Sequence, residues 1–145
     1  MTIVVGYDGE PAAQQALERA LEEARGSAAD LVVIAVLQLP LNPEGPQTFG
    51  TWDDSPATML PLEAPPEVES ILAEARERVE AAGVDADYVW AAGEPANAIL
   101  GTARDRGASL IVLGSHHHGM FGRLFGEDIA AAVKRDAGCD VLVVE

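Results

Sequence analysis

Lysine is almost missing from this chain: Lys134 stands alone beside eight arginines, against 24 acids, and the net charge is −15. A surface so short of cations repels the phosphates of DNA and RNA and the headgroups of anionic lipid. Neither nucleic acid nor a membrane is therefore an expected partner. Cysteine is just as scarce. Cys139 is the sole one, so no intrachain disulfide can form, which fits a reducing compartment. Long apolar runs are missing too, since the longest, Leu31 to Leu37, falls far short of the roughly 20 residues that a membrane helix needs. The opening Met1-Thr2-Ile3-Val4-Val5-Gly6-Tyr7-Asp8 lacks the cationic start and small-residue cleavage site of a secretory leader. A cytoplasmic location is the expectation. What remains is 145 residues, 48% of them apolar. That length suits one domain over residues 1–145, and a domain of this size buries about 70% of its unfolded surface without a covalent staple.

The chain alternates two kinds of pattern. Thr2 to Tyr7, Leu31 to Leu37, Ala86 to Ala92, Ser109 to Leu113 and Val141 to Val144 are short apolar stretches rich in β-branched residues. They read as strands, with the first two buried on both faces. Between them apolar residues recur at helical spacing: Ala13, Ala16, Leu17, Ala20 and Leu21; Val68, Ile71, Leu72, Ala75 and Val79; Ala96, Ile99, Leu100 and Ala103; Ile129, Ala132 and Val133. Pro11, Pro66 and Pro95 stand where helices begin, and Gly26, Gly83 and Gly107 where they end. Residues 38–64 break the rhythm with five prolines, Pro40, Pro43, Pro46, Pro56 and Pro61. That stretch is too long for a plain connection. Its Phe49, Trp52, Met59 and Leu60 are placed to cover an adjacent pocket, or to anchor an ordinary surface loop. The βαβαβαβαβ order predicts an α/β fold: one doubly wound, five-stranded parallel sheet with helices on both faces.

Three segments in fixed order carry a family resemblance. The first strand closes on Val5-Gly6-Tyr7-Asp8-Gly9. Gly93-Glu94-Pro95-Ala96 opens the helix after strand three. Leu110-Ile111-Val112-Leu113-Gly114-Ser115-His116 leads through a glycine-rich turn and a helix to Cys139-Asp140-Val141-Leu142-Val143-Val144. Over essentially its whole length the chain resembles the universal stress protein family. The resemblance implies strand order 3-2-1-4-5, with a ligand site where the order reverses. In nucleotide-binding members the aspartate after strand one and the end of strand two hold adenosine, and the turn after strand four wraps the phosphates. Carried over residue by residue, this gives Asp8, Val36, Leu113, Gly114, Ser115, Gly119, Arg123, Gly126 and Ile129 as candidate nucleotide contacts. It also implies a homodimer paired through the terminal strand, Val141, Leu142, Val143 and Val144, a short apolar edge open to pairing.

The family's ATP signature runs Gly-x2-Gly-x9-Gly followed by Ser or Thr. Its glycines let backbone N–H groups reach phosphate, and a helix N-terminus favours the anion. Counted from Gly114, His117 takes the second glycine's place, and Glu127 and Asp128 take the final pair. If the turn is one residue shorter, Gly126 is the last glycine and Glu127 replaces the hydroxyl. Either way an acid stands where phosphate needs a donor. Unit charges 4 Å apart repel by about 1 to 4 kcal/mol between bulk water and a surface dielectric. ATP as a cofactor is disfavoured on this ground, unless Arg123, protonated histidine or magnesium offsets the charge. Glu127 and Asp128 also have an ordinary role open to them, capping the first turn of the last helix.

His116, His117 and His118 are adjacent, which is not the i, i+4 helical pair of metalloproteases. An extended turn still sets His116 and His118 on one side. With Asp128, Asp8 or Glu10 they compose a mixed nitrogen and oxygen set suited to zinc, nickel or cobalt; the alternative is a set of exposed turn histidines with no specific task. Other doubly wound readings fail on residues. A receiver domain needs an acidic pair after strand one and an aspartate after strand three, where this chain has Trp90-Ala91-Ala92. FMN needs a hydroxyl-rich loop in place of Gly9-Glu10-Pro11, and G-x-G-x-x-G is absent after strand one. Ser115 beside His116 lacks the strained G-x-S-x-G elbow. The expectation is a non-enzymatic, dimeric stress-response module with a degenerate ATP motif. The alternative is an adenine-nucleotide-binding regulator, with or without slow ATP hydrolysis.

Overall fold

The computed structural model describes residues 1–37, 64–114 and 129–144. The proline-rich stretch with Phe49, Trp52, Met59 and Leu60 lies outside the described residues, apart from its final Ala64. Five strands form: β1 (Thr2–Gly6), β2 (Asp30–Leu37), β3 (Ala86–Ala92), β4 (Leu110–Gly114) and β5 (Asp140–Val144). Among the described residues four helices separate them: α1 (Pro11–Ser27), α2 (Pro66–Ala81), α3 (Pro95–Arg106) and α4 (Ile129–Asp136). Every strand pairing is parallel, and the order is β3-β2-β1-β4-β5. This is the doubly wound sheet expected from the alternation and the strand order expected from the resemblance.

The central strand explains why the sheet is covered on both faces. Val4 is in register with Val32 on one side and Ile111 on the other. Successive side chains of a strand point to opposite faces. Ile3 and Val5 join a core with Ala16, Leu17 and Ala20 of α1 and Ala75 and Val79 of α2. Val4 joins the opposite core with Ile99 and Ala103 of α3 and Ala132 and Val133 of α4. Neither α1 and α2 nor α3 and α4 alone could shield a strand that is apolar at each position, so the helices divide between the faces. Among the described residues no residue of polar or charged type is buried, and the hydroxyl of Tyr7 is the polar group that one core carries.

Helix starts follow the prolines: Pro11, Pro66 and Pro95 each open their helix, where a missing N–H costs nothing and φ is already helical. Stops follow the glycines less closely. Gly107 closes α3 in the left-handed region, at φ 63°. Gly26 does not close α1. The helix runs on to Ser27, and Ala28 takes the left-handed conformation at φ 55° while its N–H bonds to the Ala24 carbonyl. The end is set by where β2 must start, since the Asp30 N–H donates to the Met1 carbonyl at 2.9 Å. An alanine there accepts a conformation that costs L-residues roughly 1–2 kcal/mol.

Candidate functional site

β1 has β2 on one flank and β4 on the other, so the chain's winding direction reverses between β1 and β4. The loops leaving their carboxyl ends part at that point and leave a crevice. A cleft opens there. Gly6, Tyr7 and Asp8 contribute from the end of β1, Ile34 and Val36 from β2, and Leu113 and Gly114 from β4. Ala12 and Ala13 of α1, Pro95 and Ile99 of α3, and Ile129 and Ala130 of α4 complete the described lining with Glu10.

Two glycines shape it. A Cβ on Gly6 would come within 2.9 Å of Leu113 Cδ2 and 3.3 Å of Ile99 Cδ1, so β1 can lie low beneath both side chains only without one of its own. A Cβ on Gly114 would stand 2.7 Å from the backbone carbon and oxygen of Ala12. The first turn of α1 thus rests directly on the end of β4.

The segment after β1 is tied down by its own polar groups. Asp8 Oδ1 accepts the Glu10 N–H at 3.0 Å. Gln14 Nε2 donates to the Gly9 carbonyl at 3.2 Å, and the Gln14 N–H donates to the Glu10 carbonyl at 2.9 Å. Gly9 takes φ 84°, a conformation that glycine adopts at no steric cost. Tyr7 anchors the same segment from the other face of the sheet. Its N–H donates to the Ile34 carbonyl at 2.9 Å, and its hydroxyl donates to Glu74 Oε1 of α2 at 2.6 Å. Burial and the facing Glu74 push the ionisation of that hydroxyl far above the usual phenol range, so it is a fixed donor.

Asp8 shares an otherwise largely apolar described lining with one other charged residue, Glu10. Burial raises the Asp8 carboxyl above the ordinary value of 3.8; the Glu10 N–H bond opposes the shift, and the negative charge of Glu10 adds to it. A folded-state value above the unfolded one favours folding only while the group is protonated. That contribution is lost as pH rises from 3.8 through the raised folded value. Asp8→Asn keeps an acceptor for the Glu10 N–H and removes the charge. The variant should be more stable than the wild type at neutral pH, and the difference should shrink below pH 3.8. Urea unfolding at both pH values checks this, and a variant less stable at neutral pH would refute the account of Asp8.

Five of the candidate contacts, Asp8, Val36, Leu113, Gly114 and Ile129, meet around this one cleft. Ser115, Gly119, Arg123 and Gly126 lie outside the described residues, as do the departures His117, Glu127 and Asp128. So do His116 and His118 of the candidate metal set; among the described residues no group of three His, Cys, Asp or Glu side chains is placed to hold a metal ion. Sequence reasoning missed Ile34, Pro95 and Ile99 as cleft residues. Ile34 was within reach, because it lies two residues before Val36 and so on the same face of β2.

A parallel sheet in this order, with a cleft at its reversal point, defines a doubly wound α/β protein with a ligand-binding architecture. The chain belongs to the universal stress protein family, whose model matches residues 1–145. It is 36% identical over 74 residues to the universal stress protein YxiE of Bacillus subtilis (strain 168), a match covering 51% of this chain and 50% of that protein. The match thus spans about half the length of that curated relative. Among solved structures, a universal stress protein in complex with cAMP is 31% identical, with TM-score 0.71, covering 100% of this chain and 97% of that one. A universal stress protein family member from Burkholderia pseudomallei is 28% identical, with TM-score 0.67, covering 99% and 94%. The universal stress protein of Archaeoglobus fulgidus in complex with dAMP shares the fold at 22% identity, with TM-score 0.68, covering 100% and 98%.

Proposed function

We propose that this universal stress protein is a non-enzymatic regulatory module whose cleft takes the adenosine part of an adenine nucleotide, and that it works as a homodimer. One observation carries the first half: a largely apolar cleft at the switch point, with the half-buried carboxylate of Asp8 in its wall, in a chain 31% identical over its whole length to a structure in complex with cAMP. Apolar walls suit a purine ring, and one or two placed polar groups suffice to orient it. Asp8 accepts hydrogen bonds from ribose or adenine donors, while Val36 and Ile34 flank the ring. The described lining supplies side chains that orient a ligand, and the Tyr7 hydroxyl is engaged by Glu74. Calorimetric titration of the purified protein with cAMP tests the reading. Saturable binding that Asp8→Ala abolishes is expected. Absence of heat up to millimolar ligand, with no adenine nucleotide released on denaturation, would overturn it.

The dimer reading rests on β5. Among the described residues it is the last strand in the sheet order and pairs with β4. Val141, Leu142, Val143 and Val144 are half-buried, and their side chains alternate between the two cores. An apolar edge with free backbone groups on one side is a template for pairing with another strand. Leu142→Lys should shift the sedimentation coefficient from dimer to monomer at micromolar concentration. A wild-type monomer at that concentration would contradict the dimer.

A further inference from the structure

Asp8 lies in the short connection between β1 and α1, and the hydrogen bond of its own side chain does not fix that connection to the fold. The Glu10 N–H that Asp8 accepts is two residues away and travels with it. The last register pair of β1 and β2 is Gly6 with Ile34, and the Tyr7 N–H adds one more bond, to the Ile34 carbonyl at 2.9 Å. Beyond Tyr7 the connection is held from two helices. Gln14 of α1 reaches the Gly9 carbonyl at 3.2 Å. From α2, Glu74 Oε1 accepts the Tyr7 hydroxyl at 2.6 Å, from 67 positions along the chain. The same Oε1 is 3.6 Å from where a Cβ on Gly9 would stand. Glu74 is therefore beside both neighbours of Asp8, Tyr7 before it and Gly9 after it.

Packing alone does not ask for this bond. Tyr7 is 1% exposed, in a core with Ala75 and Val79 of α2, and a phenylalanine ring would fill the same space. The hydroxyl adds a donor that needs an acceptor. Arg78, which also acts on that hydroxyl, can only donate, so it cannot take the place of Glu74. A carboxylate acceptor makes a shorter and stronger bond than a neutral one. We infer that Glu74 is a positioning residue for the cleft: through the Tyr7 hydroxyl it fixes the connection that sets Asp8 against a bound ligand, and so couples α2 to the site. The inference rests on the adenine reading of the same cleft. A carboxylate bonds a ribose hydroxyl over a window of only about half an ångström, so a drift of about 1 Å in the backbone of Asp8 forfeits that bond. Loss of one such bond lowers affinity by about tenfold.

The test is calorimetry of the full chain with cAMP, on the wild type, Tyr7→Phe, Glu74→Ala, Glu74→Gln and the double variant Tyr7→Phe/Glu74→Ala. Tyr7→Phe and Glu74→Ala should each bind about tenfold more weakly. The double variant should be no weaker than either, because both changes remove one and the same bond. Glu74→Gln keeps a carbonyl acceptor and should stay within about threefold of the wild type. Amide spectra of the unliganded proteins give a readout apart from affinity: the Asp8 and Gly9 signals should move in Glu74→Ala and hold their place in Glu74→Gln. Alanine is a strong helix former, so Glu74→Ala keeps α2, and urea midpoints check that each variant is folded where it is titrated. Wild-type affinity in Tyr7→Phe and Glu74→Ala, a Glu74→Gln protein as weak as Glu74→Ala, or losses that add in the double variant would each overturn the inference while leaving the adenine site in place. Failure of the wild type to bind cAMP would instead overturn the adenine reading, and this inference with it.

Discussion

Gly114→Ala is expected to destabilise the protein by about 3 kcal/mol or more, the upper end of the cost of overpacking a tight contact. The added Cβ would sit 2.7 Å from the Ala12 carbonyl carbon and oxygen and 2.8 Å from its Cβ. Two of them are helix backbone atoms and the third is fixed directly to that backbone, so none can rotate away as a side-chain tip can. Relief requires lifting the first turn of α1 off the end of β4. That turn carries Ala12 and Ala13 of the cleft, so the variant should lose ligand along with stability. Gly101→Ala supplies the opposite sign. Gly101 lies inside α3, and a Cβ there would meet nothing within 4 Å. Alanine in a helix interior gains about 1 kcal/mol over glycine. Urea unfolding of the two variants should move the midpoint in opposite directions. A Gly114→Ala protein as stable as the wild type would show that α1 does not rest on β4 as described.

Leu17→Ala is the second large effect, expected to cost about 3 to 5 kcal/mol. Leu17 is fully buried at 0% exposure, midway along the face of α1 that covers β1. Its cluster neighbours on the same helix are Ala13, Ala16, Ala20, Leu21 and Ala24. Alanines have no side chain to swing into a vacated space, and the sheet beneath is held by ladders on both sides of β1. A cavity left at Leu17 therefore stays largely open, and the cost of such a substitution grows with the cavity that remains. The urea midpoint should fall with the slope unchanged, since the surface exposed on unfolding is nearly the same. A loss under about 1 kcal/mol would mean that α1 settles onto the sheet and closes the gap.

The elements were legible because both faces of the sheet are covered. Strands such as Leu31 to Leu37 had to be apolar at each position, and that makes a run no surface loop would carry. Helix starts were legible from Pro11, Pro66 and Pro95, which act within a residue or two of where they stand. The close of α1 was not, because Gly26 has the right chemistry in the wrong place. The turn into β2 decides the matter, and Ala28 bears the left-handed conformation instead. Strand order came from the family resemblance, since nothing local in β1 records that β4 will lie beside it.

The candidate site divides in the same way. Asp8, Val36, Leu113 and Gly114 stand at the ends of strands, where a sequence motif can mark them. Pro95 and Ile99 reach the cleft only because α3 packs across the face that carries Val4, a relation between segments far apart in the chain. Gly114 also shows that a motif residue can have a second cause. The sequence reading gives its missing side chain to phosphate, whereas the structure shows the space filled by the Ala12 backbone.

The central claim is that the cleft at the end of β1 and β4 is an adenine site, and amide chemical-shift mapping tests it most directly. The uniformly labelled protein would be titrated with cAMP and the shifted amides assigned. The account predicts saturable shifts clustered at Gly6, Asp8, Val36, Ile99 and Gly114, with the β3 edge and the far ends of the strands unmoved. Shifts confined to another surface, or no shifts at millimolar cAMP, would contradict it.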